Sequence, residues 1–188
     1  MPVSAHKEFM QGAFQETKNE LDMAIEGKGF FKVLSNEEEV YTRSGNFKLD
    51  ANRNIVTPNG DKLQPEMTVP ENTVTIKIDS DGTVTAFDPE GVGASLGTIE
   101  LYTFPNPAGL FSRGHNLYRS SDASGEAVNG TPGSEGVGTV VQGFVEVSNV
   151  DVVQEMVDMI MAQRAYEINS KAIKTADEML AIVNNISR

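Results

Sequence analysis

VSNVDVVQEMVDMIMAQRAYEINSKAIKTADEMLAIVNNISR, residues Val147 to Arg188, decides the architecture of this chain. No glycine or proline follows Asp151, so nothing in the sequence breaks a helix before its last residue. Local chemistry marks the start. Ser148 is placed to cap the free N–H groups of the first turn, Asp151 stands three residues on to complete a capping box, and Val147 and Val152 take the hydrophobic-staple positions. Further in, residues step by three and four through Met159, Ala162, Tyr166, Asn169, Ile173, Ala176, Leu180 and Val183. Such a heptad seam winds a helix around a partner so that the seam stays covered, and an amide such as Asn169 within it fixes register at some cost in stability. The competing readings are a partly exposed Asn169 and an amphipathic helix packed as core on its own domain. Length argues against the second: nearly forty helical residues span about 55 Å, longer than the domain formed by the rest of the chain is wide. Asp151, Glu155 and Asp158 near the positive end, with Arg164, Lys171 and Lys174 later, suit the helix dipole, and Glu167 and Lys171 are correctly ordered as an i, i+4 pair.

Working outward, the 188 residues suffice for one ordinary domain plus this appendage. A formal charge of -12 repels phosphate, which argues against nucleic acid or an anionic membrane surface as partner. Without cysteine there are no disulfides, zinc-thiolate sites or thiol catalysis, and the redox compartment is not readable. No apolar run reaches membrane-spanning length, and Met1 to Phe14 lack the charged-then-apolar pattern of a cleavable signal peptide. Tryptophan is absent and glycine clusters between short alternating segments, which suits a β-rich body with many turns.

In chain order, Met1 to Asn19 is weakly patterned. Strand-like alternation begins at Leu21, Met23 and Ile25, pauses at Gly27-Lys28-Gly29 and resumes through Phe30 to Leu34. Val40 to Arg43 and Asn46 to Leu49 read as strands joined by a hairpin turn at Ser44-Gly45. Pro58-Asn59-Gly60-Asp61 turns the chain after Ile55-Val56-Thr57. The clearest hairpin has Val74, Ile76 and Ile78 on one face, a turn at Asp79-Ser80-Asp81-Gly82, and a return strand Thr83 to Phe87. Thr98 to Phe104 reads as a further strand. Ser120 to Gly138 is a long polar loop, expected to be mobile or ordered by a partner. A last strand, Thr139 to Val147, puts Val141, Val145 and Val147 with Gly143 on one face.

Chemistry is present only in outline. Gly93-Ala94-Ser95-Leu96-Gly97 fits the nucleophile-elbow spacing, and Ser95 with Glu100 and His115 would supply a serine-hydrolase triad, but no strand precedes the pattern and a β-favouring run follows where a helix is needed. It reads instead as a glycine-rich turn. Asp50, Asn52 and Asn54, with Asp61 at the twelfth position, have calcium-loop spacing; Ile55 replaces the required glycine, and no helices flank the loop. Asp79 and Asp81 read as turn residues. No catalytic residue, metal ligand or cofactor site is assigned, and the chain reads as no enzyme.

Ala24-Ile25-Glu26-Gly27-Lys28-Gly29-Phe30-Phe31, followed by Tyr41-Thr42-Arg43-Ser44-Gly45-Asn46-Phe47, resembles the central signature of the bacterial flagellar rod and hook proteins. Gln142-Gly143, Glu146, Ser148-Asn149-Val150, Gln163-Arg164-Ala165-Tyr166-Glu167 and Asn169-Ser170-Lys171 resemble that family's C-terminal signature. The likeness covers nearly the whole chain and, with no room for a hook protein's extra outer domain, sides with a distal-rod type; a proximal rod or hook-type subunit is the runner-up. It implies an axial structural subunit, without cofactor, exported unfolded by the flagellar secretion apparatus and assembled with copies of itself and neighbouring rod and hook proteins into a helical tube of the basal body. Such a tube would span the periplasm, transmit torque and enclose the export channel. It further implies a β-rich outer domain, here 1–147, and an axial helix, here 148–188, pairing with an N-terminal helix. Nothing in Met1 to Glu20 corresponds to that helix, so the chain is expected to be truncated and its seam to be left without its intended partner.

Overall fold

The computed structural model describes residues 9–186. Two compact units form, one ending at Asn149 and one beginning at Val150. The first is mainly β with short antiparallel strands; the second is a single helix.

The first unit opens with β1 (Phe14–Glu16) and β2 (Met23–Glu26), then builds a hairpin from β3 (Phe30–Ser35) and β4 (Glu38–Thr42). Asn36 and Glu37 turn this hairpin with φ of 52° and 67°, the pair of positive values that a two-residue turn between right-twisted strands demands. β5 (Lys48–Leu49), β6 (Ile55–Val56) and β7 (Lys62–Gln64) follow, and β7 returns to pair with β3. The reading of Ser44-Gly45 as a hairpin turn is corrected: the strand before it pairs back with β3 and the one after it with β6. Ser44-Gly45 is instead a crossing, where the Gly45 carbonyl accepts the Met23 N–H at 2.9 Å.

The expected hairpin stands as β8 (Thr75–Ile78) and β9 (Thr83–Phe87), with Ile76, Ile78, Val84 and Ala86 buried on one face, but Val74, expected on that face, precedes β8 and is exposed. A third strand, β10 (Gly93–Thr98), joins it with a bulge between Ser95 and Gly97, so the glycine-rich stretch is not a turn. β11 (Leu101–Thr103), β12 (Phe111–Gly114), β13 (Leu117–Arg119) and β14 (Val128–Gly130) complete the largest sheet, ordered β12-β13-β4-β3-β7-β6-β5 with β11 on β3 and β14 on β11.

Alternation along β3 and β4 divides the packing between two faces. Phe31, Val33 and Val40 enter the main core with Met23, Phe47 and Leu63. Phe30 and Tyr41 enter an aromatic cluster with Tyr102 and Phe104, to which Phe9 and Tyr118 add edge-on contacts.

The segment 120–138 is ordered by the chain itself rather than by a partner. It contributes β14, buries Ser124 completely, bonds Asn106 N–H to the Ser124 carbonyl and brings Gly138 N–H within 2.7 Å of the Lys28 carbonyl. The last strand divides into β15 (Thr139–Gln142), paired with β2, and β16 (Phe144–Glu146), paired with β1. Gly143, at φ 79°, makes the break. Within β15 it is Val140, opposite Ile25, rather than Val141 that is buried.

The second unit is α1 (Val152–Ile186). Its cap lies three residues later than the sequence pattern suggests. Asp151 is the capping residue: its Oδ1 accepts the N–H groups of Val153 and Gln154, and its carbonyl accepts that of Glu155. Val147 N–H is bonded to the Ala13 carbonyl in continuation of the β1–β16 ladder.

Candidate assembly surfaces

Two features stand out, one in each unit. In the first, the guanidinium of Arg43 joins three segments. Its Nη1 donates to the Gly29 carbonyl at 2.8 Å, Nη2 to the Ile25 carbonyl at 3.1 Å, and Nε to Oε2 of Glu146 at 2.7 Å. The other Glu146 oxygen accepts the Gly12 N–H at 2.9 Å. Gln11 closes the circuit, accepting the Gly27 N–H and donating to the Ile25 carbonyl. Gly29 takes part because its φ of 147° suits glycine and its Cα faces Leu101 closely. The motif residues thus act through geometry: Gly27 and Gly29 shape a loop whose carbonyls Arg43 reads, Gly45 allows the crossing against Met23, and Phe47 stands edge-on to Phe31 at 5.4 Å. Phe30 and Phe31 divide between the two packed faces.

A second polar tie involves Gln142. Its amide donates to the carbonyls of Glu20 and Ile76 and accepts the Ile78 N–H, holding the edge of β8. Glu146 and Gln142 are visible in the C-terminal signature; Gln11, Gly12 and Glu20 carried no signal, being polar residues in a weakly patterned segment.

In the second unit, Met159, Ala162, Tyr166, Asn169, Ile173, Ala176 and Leu180 are all exposed, Tyr166 at 77%. Val183 lies outside the described side chains. Large apolar groups exposed along a helix of 35 residues are what a surface awaiting a partner presents.

The alternative chemistries do not assemble. Ser95 is in β10, paired with Thr85, whereas His115 turns the chain between β12 and β13 in the other sheet. Asp50 is engaged by its own hairpin: Oδ1 accepts the N–H groups of Asn52 and Asn54, and Oδ2 the Asn54 side-chain amide. Among the described residues no group of three or more His, Asp or Glu side chains is placed to hold a metal ion, and no helix is long and apolar enough to cross a membrane.

The Asp50 turn has a pH signature. The Asn54 backbone N–H, foremost among its donors, holds the carboxyl below its usual 3.8. A carboxylate whose pKa is depressed on folding contributes stability that is present above the unfolded value and lost as pH falls through the folded one. Acid unfolding of Asp50→Asn is therefore expected to depend less on pH than wild type below about pH 4; identical acid limbs in a thermal melt series would refute the assignment.

Comparison with known proteins bears on both units. A family model described as the flagellar hook protein FlgE/F/G D1 domain matches residues 24–86, and one described as the flagellar basal body rod FlgEFG protein C-terminal region matches residues 141–186. The chain is similar to the flagellar basal-body rod protein FlgG of Borreliella burgdorferi, 48% identical over 184 residues that cover 96% of this chain and 69% of the relative. It is likewise similar to FlgG of Bacillus subtilis, 40% identical over 181 residues covering 94% and 69%. The flagellar hook protein FlgE of Salmonella typhimurium is 39% identical over 133 residues, 71% of this chain but 32% of the hook protein.

Proposed function

Since the chain belongs to the flagellar rod and hook protein family, we propose that it builds a helical tube of the basal-body rod through its exposed helix. It is a structural subunit of the rod and not an enzyme, and its partners are other axial flagellar proteins. The observation that carries the rod reading over a hook-type one is coverage: rod relatives align along nearly the whole chain, the hook relative over less of it.

In this reading the β unit is the outer domain and α1 the axial element. The seam from Met159 to Leu180 supplies helix contacts along the tube, and the segment 120–138 supplies contacts between β units. The assembled tube transmits torque and encloses the export channel, spans the periplasm, and is fed by unfolded chains from the flagellar export apparatus. An apolar helix surface this long is stable in water when association covers it.

The test compares the full chain with one ending at Asn149, where the first unit closes. Light scattering, electron microscopy and circular dichroism across concentration are expected to find the full chain associating into filaments with rising helix content and the shortened chain monomeric with its β signal intact. A full chain that stays monomeric with a fully formed helix at all concentrations would overturn the reading.

A further inference from the structure

We propose that Asn59-Gly60 is a self-modifying site, at which the Gly60 backbone nitrogen converts the Asn59 amide to aspartate or isoaspartate while the chain stays folded. The inference stands apart from the rod reading, and the other reactant is water.

The chemistry is that of an amide with a glycine behind it. Without a side chain, glycine leaves its own nitrogen unshielded and its backbone free to turn. That nitrogen attacks Cγ of the asparagine, gives its proton to solvent and expels Nδ2 as ammonia, which closes a five-membered succinimide. Water then opens the ring at either carbonyl. Opening at Cγ yields aspartate, and opening at the main-chain carbon yields isoaspartate, whose backbone runs through the former side chain. In sum, asparagine and water become an acid and ammonia, with one negative charge gained.

Three dipeptides in the chain could cyclise in this way: Asn59-Gly60, Asn129-Gly130 and Asp81-Gly82. The fold separates them. Asn59 and Gly60 are both exposed, in the turn between β6 and β7, and a Cβ at Gly60 would meet nothing within 4 Å. The Asn59 side chain makes no hydrogen bond among the described residues. One bond must yield before Gly60 can attack, that from its N–H to the Thr57 carbonyl at 2.9 Å. The hairpin survives its loss, because the Thr57 N–H still bonds the Asp61 carbonyl and the Asp61 N–H still bonds Thr57 Oγ1.

Asn129 is exposed too, so exposure alone does not decide. Asn129 and Gly130 lie in β14, paired with Tyr102 and Leu101 of β11, and a Cβ at Gly130 would stand 2.6 Å from the Val137 side chain. Cyclisation there requires β14 to lift from its neighbour. Asp81 is held differently. Its Oδ1 accepts the Thr83 N–H at 3.0 Å, and that backbone donor keeps the carboxyl below its usual 3.8, in the ionised form that resists attack. A Cβ at Gly82 would also meet the Ile99 carbonyl oxygen at 2.5 Å, so this turn has little room to move.

Reaction at Asn59 places a carboxylate in the polar groove that residue 59 lines with Ser44, Asn46, His115 and Asn116. Lys48 stands at the same turn, its Nζ donating to the Pro58 carbonyl at 2.9 Å, and can neutralise the new charge.

The full chain is incubated in mildly alkaline buffer, natively and in urea. Digested peptides are followed by mass spectrometry with fragmentation that separates aspartate from isoaspartate. In the native chain the Asn59 peptide is expected to convert about tenfold faster than the Asn129 peptide, since one turn bond opens in the first case and a length of ladder in the second. In urea the two rates are expected to converge, because the dipeptides are the same. Gly60→Ala is expected to slow the native reaction severalfold with the β signal in circular dichroism intact. Equal native rates, faster conversion at Asn129, or a native chain that keeps Asn59 while the urea-treated chain reacts would overturn the proposal. So would an unchanged rate in Gly60→Ala, or aspartate without isoaspartate, which is the mark of direct hydrolysis rather than of attack by Gly60.

Discussion

Gly45→Ala is expected to destabilise the β unit by about 4 kcal/mol, at the extreme of what a single methyl does. A Cβ at residue 45 would lie 1.6 Å from the Met23 carbonyl oxygen and 2.7 Å from its carbon. Both are backbone atoms of a strand whose Met23, Ala24 and Ile25 are buried, so no side chain can swing aside. The crossing has to open, which breaks the Met23 N–H to Gly45 carbonyl bond, strains the Asp22–Asn46 bridge beside it and separates Phe47 from Phe31. Gly60→Ala is the control: a Cβ there meets open space and only the φ of 95° opposes it, for about 1 kcal/mol. Urea unfolding followed by near-ultraviolet circular dichroism of the aromatic residues reads both. Equal midpoints for the two variants would show that the crossing relaxes freely.

Gly45 also marks where the sequence stops being legible. Serine followed by glycine between two apolar runs has the composition of a hairpin turn, and a glycine kept for a turn looks the same as one kept because two backbones touch. The real turn sits at Asn36-Glu37, without glycine, where the pairing of β3 with β4 imposes positive φ on Asn36, which tolerates it, and on Glu37, which seldom adopts it. Alternation was readable wherever one face is buried, as in Ile76, Ile78, Val84 and Ala86, because period two is written locally. Which strand pairs with which was not, since β7 returning to β3 and β15 joining β2 are decisions of the whole sheet. The tail's helix was plain from the absence of breakers, but its cap was ambiguous: Ser148 and Asp151 are both good capping residues, and the helix starts directly after Asp151, whose carboxylate takes the first-turn N–H groups. Segment 120–138 looked unanchored because its anchors are backbone groups of Lys28 and Asn106, which leave no trace in composition.

The Arg43 node was the least legible part of all, since it joins residues 103 and 134 positions apart, and it gives the second large effect. Arg43→Met is expected to cost about 3 kcal/mol. The Arg43 and Glu146 side chains are only 21% and 10% exposed, so the loss leaves the Glu146 carboxylate and the carbonyls of Gly29 and Ile25 short of donors where water replaces them poorly. Arg43→Lys recovers part of the loss, because an ammonium answers the charge but lacks the fork that serves three acceptors at once. Glu146→Gln costs less, about 1 to 2 kcal/mol, since an amide oxygen still accepts from Gly12 or Arg43. Combining Arg43→Met with Glu146→Gln is then expected to cost less than the sum of the two, because the second change removes the charge that the first leaves stranded. Strict additivity in urea unfolding would mean that the two residues act separately. The effect should also persist in 1 M salt, as screening reaches a half-enclosed pair weakly. Because Glu146 ends β16 and Gly12 leads into β1, the same loss loosens the ladder at Ala13 and Val147.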